Sequence, residues 1–260
     1  MSLHDLGALR AFRFESLSRP GLTHALFTRR GGVSGGIWRS LNVGGTVGDD
    51  PEHVHENRRR MLTAVGRQPD SVFDVWQIHS SDVLVADGPR RGAPIEKADG
   101  ILTDRPDVTL VMRFADCVPV LMFDPERPAI GLVHAGWKGT VRKVVRNAVK
   151  QMAASFGTRP EALLVGLGPA VAGHHYPVGQ EVVEAVRGSL GPHAEAVLAS
   201  SNGQVTLDLW EANRRLLADE GVVQVEVSEI CTACHLEDWY SHRGEAGKTG
   251  RFGAVIALTG

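Results

Sequence analysis

Apolar and polar positions follow two different rhythms along this chain. Between Val75 and Ala135 the apolar residues fall in short runs: Val75–His79, Val83–Ala86, Ile101–Thr103, Val108–Phe114, Val118–Phe123 and Ile130–His134. Each run is bounded by Asp, Pro, Gly or Ser, a pattern that predicts strands. Further strands are expected at His24–Thr28, Ala162–Gly168, Gln204–Leu207, Val222–Val227 and Phe252–Leu258. After Thr140 the spacing changes to threes and fours (Val141, Val144, Val145, Ala148, Val149, Met152, Phe156), which predicts a helix ending at Gly157. Asp50-Pro51 supplies an N-cap carboxylate and a proline at the first helical position, so a helix should run from there to about Gly66. Two more helices are predicted over Gly179–Leu190 and from the Asp208/Glu211 capping box to Glu220. Strands and helices intermix without repeats or linkers. The expectation is α/β: one domain, residues 1–260, of mixed β-sheets flanked by helices, with residues 1–20 as an N-terminal extension.

Composition narrows the class. The 260 residues are 43% hydrophobic and 22% charged, as in ordinary soluble domains. A net charge of −2 leaves no basic field for a polyanion, so no nucleic-acid partner is expected. Three cysteines are too few for a disulfide framework, and free thiols suit a reducing compartment. The N-terminal residues lack a cationic and apolar leader pattern, and no run approaches the roughly 18 apolar residues of a membrane span. A cytoplasmic protein without a membrane partner is the expectation.

The chemistry concentrates at the ends of three apolar runs, which deliver His79, Cys117 and His134. Two imidazoles and a thiolate suit a catalytic metal, zinc above all, with a fourth position left open. Taken singly, a cysteine or histidine there is more often a buried thiol or a polar cap, and pattern alone does not separate the two readings. Cys231-Thr-Ala-Cys234 is a lone Cys-x-x-Cys, read as two interior thiols. His53 and His55 point to opposite sides of a helix, and His174-His175 lies in a Gly/Pro loop; neither pair is expected to ligate. The turn His134-Ala-Gly-Trp-Lys-Gly-Thr140, with Lys138, is a candidate anion site at a helix start. The Gly-rich loop with Arg29, Arg30 and Asn42 is a second, weaker one. Asp99 and Asp116 are candidate partners of the ligands or proton carriers, against the plainer role of turn aspartates.

Several of these stretches together resemble one family. They are Thr28-Arg-Arg-Gly-Gly-Val-Ser, Ser40-Leu-Asn-Val-Gly, Gly48-Asp-Asp-Pro, Glu56-Asn-Arg-Arg, Gln77-Ile-His, Ala98-Asp-Gly-Ile-Leu-Thr-Asp, Ala115-Asp-Cys-Val-Pro-Val, Val133-His-Ala-Gly-Trp-Lys-Gly, Cys231-Thr-Ala-Cys and Thr249-Gly-Arg. In that order, from about His24 onward, the chain resembles the laccase-domain family, long labelled multi-copper polyphenol oxidoreductases and now described as zinc-dependent purine nucleoside phosphorylases. The resemblance implies a compact layered αββα-type sandwich with zinc on His79, Cys117 and His134. It also implies phosphorolysis of adenosine, inosine, guanosine and S-methyl-5'-thioadenosine, and hydrolytic deamination of adenosine to inosine. Purine nucleosides and phosphate are then the partners. For deamination Asp116 would move protons; for phosphorolysis Arg29 and Lys138 would hold the phosphate. The chain departs from the family pattern at Lys138, where arginine is usual, and in Ser241-His-Arg-Gly-Glu-Ala-Gly-Lys, where Ser-Tyr-Arg-Arg is usual. A lysine replaces a bidentate fork with a point charge.

Other classes compete. Copper on the same three ligands would make a phenol oxidase, although a trinuclear copper cluster needs several paired His-x-His motifs and this chain has one, on a helix. Cys117 with His134 as base would make a metal-free cysteine hydrolase; certain deamidating toxins resemble the fold. An amidohydrolase acting on cell-wall precursors, or a non-catalytic binding module, completes the set. The oligomeric state is not encoded legibly.

Overall fold

Successive residues of the central strands serve two different cores, and this alternation builds the layers. In Val118–Asp124, Val118, Val120 and Met122 pack with helices, whereas Leu121 and Phe123 pack against an opposing sheet. In Phe252–Leu258 the assignment is similar: Val255 meets one helix while Ala254 and Ile256 meet the other sheet. Both faces are covered, which is why these strands read as nearly unbroken apolar runs. The computed structural model describes residues 2–201 and 203–259.

The first sheet has the spatial order Ser2–Leu6, Leu9–Arg13, Leu22–Phe27, Phe252–Leu258, Thr109–Phe114, Val72–Phe73. It is antiparallel except for the last pair. The second runs Gln224–Val227, Leu164–Leu167, Val118–Asp124, Ala129–Ala135, Gly100–Thr103, Val83–Val85, with parallel pairs at its two edges. Helix Pro51–Ala64 covers the first sheet through Met61 and Leu62; helices Val144–Phe156, Gln180–Leu190 and Leu209–Asp219 cover the second. The layers are therefore α, β, β, α, as expected. A small third sheet, Pro177–Val178 with Gln204–Leu207 and Leu198–Ser201, lies outside them. Among the described residues no helix is long and apolar enough to cross a membrane.

Local signals fared well where capping chemistry was explicit. Asp50 accepts a hydrogen bond from the Glu52 amide at 2.9 Å and Asp208 from the Glu211 amide at 3.0 Å, while Gly157 takes the left-handed conformation that closes its helix. Caps of this kind are each worth about 1 kcal/mol. Three expectations need correction. Residues 75–79 form no strand; the short strand is Val72–Phe73, and the chain then passes into a loop. The helix expected from Thr140 is split into Trp137–Val141 and Val144–Phe156 by Lys143, whose φ is 63°. The break lets the Arg142 guanidinium donate to the His79 carbonyl at 2.8 Å. The stretch read as an N-terminal extension contributes two strands to the first sheet, with Phe12 and Phe14 buried between the sheets.

Candidate active site

Three segments converge where the two sheets meet at one end of the sandwich. Ala115-Asp116-Cys117 is the tight link from Thr109–Phe114 in the first sheet to Val118–Asp124 in the second. His134 lies near the end of the neighbouring strand, opposite Pro119. His79 comes from the loop before Val83–Val85, with φ at 60°. The ligand atoms of His79, Cys117 and His134 all lie within 4.8 Å of one another. The His79 Nε2 to Cys117 Sγ distance is 3.8 Å. Zn–S and Zn–N bonds of about 2.3 and 2.0 Å at a tetrahedral angle separate the two atoms by about 3.5 Å, so the spacing suits a shared ion.

Asp99 organises both histidines. Its Oδ1 accepts from His134 Nδ1 at 2.8 Å, leaving Nε2 of that ring for an ion, and its Oδ2 accepts from the amides of Ile78 and Ser80 at 3.1 and 2.6 Å. Those amides flank His79 and hold its unusual backbone in place. A carboxylate behind a ligating imidazole fixes its orientation and raises its basicity. Burial works against the Asp99 carboxylate, but the His134 ring and the two amides bring it down to about 2. Burial likewise opposes ionisation of Cys117, yet His134 and His79 lower that thiol to about 6. His134 is the reciprocal partner: burial would lower it, and Cys117 and Asp99 raise it to about 9.

Glycine at 136 is a steric requirement. Its backbone (φ −78°, ψ 175°) suits any residue, but a Cβ there would lie 2.7 Å from Cys117 Sγ and 3.1 Å from His79 Cδ2. The donor set, its carboxylate support and this close approach together fit a metal ion.

The triad opens into a cavity of about 870 Å³ whose walls carry Arg58, Arg90, Arg113, Lys138, Arg243 and Arg251 against two acids, Asp74 and Asp116. Asp74 is already bound to Arg90 and Arg113 at 2.9 and 3.0 Å. Arg58 and Arg251 are depressed below the usual arginine range, in both cases first by burial and for Arg58 next by Arg113. Neither forms an ion pair among the described residues. Trp76, Ile95 and Trp137 supply the apolar part of the wall.

Asp116 also faces the cavity, but its carboxylate is engaged. Thr232 Oγ1 and Ser241 Oγ donate to Oδ1 at 2.7 and 2.6 Å, and the Arg243 amide donates to Oδ2 at 2.5 Å. These contacts tie the Asp116 carboxylate to the long connection between Gln224–Val227 and Phe252–Leu258, an anchoring role beside the proton-carrying one expected from sequence. Arg29 and Asn42 do not line the cavity. The Arg29 guanidinium is committed to the Arg39 and Leu236 carbonyls at 2.8 and 2.9 Å and to Glu245 at 3.0 Å, and it stacks on Tyr240. Asn42 is fully buried; its amide donates to Asp49 at 2.8 Å and its oxygen accepts from the Gly44 and Arg251 amides. The Gly-rich loop is pinned by Asn57, whose side chain accepts from the Val33 amide and donates to Ser34 Oγ and the Ser40 carbonyl. Arg58 and Arg251 were missed, although they sit in Glu56-Asn-Arg-Arg and Thr249-Gly-Arg, where a cation amid an ordered motif was the available signal. Cys231 is buried as expected but Cys234 is exposed, and His174 and His175 lie against them.

Comparison with known proteins agrees with this architecture. The family model described as "Multi-copper polyphenol oxidoreductase laccase" matches residues 23–259, nearly the whole chain. The chain belongs to this laccase-domain family. Among its relatives, "Purine nucleoside phosphorylase" of Deinococcus radiodurans is 41% identical over 236 residues, covering 90% of this chain and 88% of that protein. "Purine nucleoside phosphorylase YlmD" of Bacillus subtilis is 35% identical over 240 residues, covering 89% and 86%. The crystal structure of YlmD from Geobacillus stearothermophilus superposes with a TM-score of 0.92 at 33% identity, covering 99% of this chain and 98% of that one.

Proposed function

We propose that the chain is a metal-dependent purine nucleoside phosphorylase. It acts on adenosine, inosine, guanosine and S-methyl-5'-thioadenosine, giving the free base and ribose 1-phosphate or its methylthio counterpart. The observation that carries this reading is one cavity joining a His₂Cys donor set to the half-buried Arg58 and Arg251 guanidiniums, which form no ion pair among the described residues. The relatives named purine nucleoside phosphorylase support the same activity.

His79, Cys117 and His134 would hold the ion, and zinc suits two imidazoles with one thiolate. When bound, the ion supplies a Lewis acid beside the reacting groups. Arg58 and Arg251 are the residues we assign to phosphate: desolvated cations without a resident anion gain most from a dianionic ligand. Lys138 and Arg243 add positive charge around the same space. Phosphorolysis forms a bond from a phosphate oxygen to C1′ and breaks the bond from C1′ to the purine nitrogen, whose electron pair leaves with the base. Holding phosphate and nucleoside together replaces an encounter in solution with a positioned reaction. Trp76 and Ile95, both substantially exposed on the cavity wall, offer apolar surface to the purine.

Hydrolytic deamination of adenosine is a second activity of the same site. It is supported by the three-residue donor set, which leaves a coordination position for water. A copper-dependent phenol oxidation on these ligands is the competing reading of the family description.

The test is product identity. Purified protein incubated with inosine, with and without phosphate, should release hypoxanthine together with ribose 1-phosphate only when phosphate is present. Free ribose appearing equally fast without phosphate would exclude phosphorolysis. Phenol oxidation that tracks copper content while nucleosides stay intact would favour the oxidase.

A further inference from the structure

A second set of metal-ligating side chains lies outside the catalytic triad. His174 and His175 occupy the short turn Gly173–His175, and Cys231 and Cys234 bracket a turn closed by a hydrogen bond from the Cys234 amide to the Cys231 carbonyl at 3.2 Å. All four ligand atoms lie within 4.8 Å of one another. His174 Nε2 is 3.2 Å from Cys234 Sγ, and His175 Nδ1 is 3.4 Å from Cys234 Sγ and 3.6 Å from Cys231 Sγ. The nitrogen-to-sulfur separation around a tetrahedral zinc is about 3.5 Å. We propose that His174, His175, Cys231 and Cys234 hold a structural zinc ion distinct from the catalytic site.

The loops carrying the four ligands are already joined by backbone. The Ala170 amide donates to the Ile230 carbonyl at 3.2 Å and the Thr232 amide to the Ala170 carbonyl at 3.0 Å. The Ala172 amide donates to Cys231 Sγ at 3.4 Å, a contact suited to a metal-bound thiolate. A Cys-x-x-Cys pair kept for redox exchange needs no imidazoles against its sulfurs; here two imidazoles stand against them. Two thiolates and two neutral imidazoles balance a divalent ion, and the thiolates select zinc over hard cations such as magnesium or calcium. On binding, each thiol releases its proton to solvent.

The position suggests what the ion does. Tyr176 follows His175 directly, faces the catalytic cavity and carries the Arg243 guanidinium over its ring at 5.0 Å. Thr232, between the two cysteines, donates to Asp116, the residue before Cys117. The zinc therefore braces two loops that shape the catalytic wall, without being part of the triad.

The experiment uses the full chain, loaded with zinc and freed of excess. Elemental analysis should show one fewer zinc per chain in Cys231→Ser/Cys234→Ser, while the double variant keeps the ion lost in Cys117→Ser. Unchanged zinc content in the double variant overturns the proposal. Loss in the double variant but none in Cys117→Ser supports this site and refutes the catalytic one, so the two readings fail separately. Should the double variant not fold, wild-type protein serves: zinc should slow iodoacetamide labelling of the exposed Cys234 by about tenfold or more, and a chelator should restore it. Equal labelling with and without zinc, or isolation with Cys231 and Cys234 joined as a chelator-insensitive disulfide, overturns the assignment.

Discussion

Replacing Asp99 with asparagine should cost metal affinity more than it costs folding. The carboxylate is fully buried and has two jobs: Oδ1 accepts from His134 Nδ1, and Oδ2 accepts from the amides beside His79. An amide of the same shape has one oxygen and one NH₂ group for these three donors. With its oxygen toward His134, the NH₂ faces the Ile78 and Ser80 amides, donor against donor. Turned over, it favours the tautomer of His134 with hydrogen on Nε2, the nitrogen needed by the ion. The first arrangement leaves buried donors unsatisfied, at about 1–3 kcal/mol; the second keeps both backbone amides satisfied and so spares the metal-free fold, but presents a protonated nitrogen where the ion needs a lone pair. Loss of such a supporting carboxylate typically lowers metal affinity by about 10–100-fold, equivalent to about 1.4–2.8 kcal/mol. Competition against a chromophoric chelator measures the affinity, and thermal unfolding of the metal-free protein measures the folding cost. Asp99→Asn binding zinc as tightly as the wild type would refute the role assigned to this carboxylate.

Other consequences are equally checkable. Arg58→Met and Arg251→Met should raise the KM for phosphate by about tenfold or more, with zinc content unchanged. Because these guanidiniums are partly desolvated and form no ion pair among the described residues, urea unfolding should find Arg58→Met no less stable than the wild type; a matching loss of stability and unchanged KM would count against a phosphate role. Gly136→Ala should abolish tight zinc binding at the His79/Cys117/His134 set, since the new Cβ would fall 2.7 Å from Cys117 Sγ; isothermal titration with zinc should show one tight site fewer than in the wild type. His24 is buried, its Nε2 accepts from the Phe14 amide, and burial lowers its pKa from 6.5 to about 4. Between those values the unfolded chain binds the extra proton, so stability present above pH 6.5 is lost as pH falls toward 4. The stability lost over that interval amounts to about 3 kcal/mol. His24→Gln should remove that slope in denaturant titrations over the same range, and an unaltered slope would sink the assignment.

Sequence carried the layers well because burial on both faces leaves a plain trace: Val118–Phe123 and Phe252–Leu258 could hardly be anything but central strands. It also placed Cys117 and His134 beside strand ends, as the local pattern suggests, and the structure brings both together with His79. The position of His79 differs from the sequence expectation. No strand delivers it; a left-handed loop residue does, held by an aspartate that is distant along the chain. Arg29 and Asn42 looked functional because cation, amide and glycine loop coincide, but their hydrogen-bonding capacity is spent inside the fold. The second cluster was illegible for a similar reason: His174-His175 and Cys231-Thr-Ala-Cys234 are unremarkable alone, and only the packing of loops far apart in sequence makes them one set.

The most direct test of the central claim is inosine phosphorolysis by protein stripped with a chelator, before and after zinc is returned, in wild type and Cys117→Ser. The stripped wild type should be silent and regain turnover with zinc, whereas Cys117→Ser should stay silent in both states. A stripped wild type that cleaves inosine at its full rate, or a Cys117→Ser variant that matches it, would contradict the account.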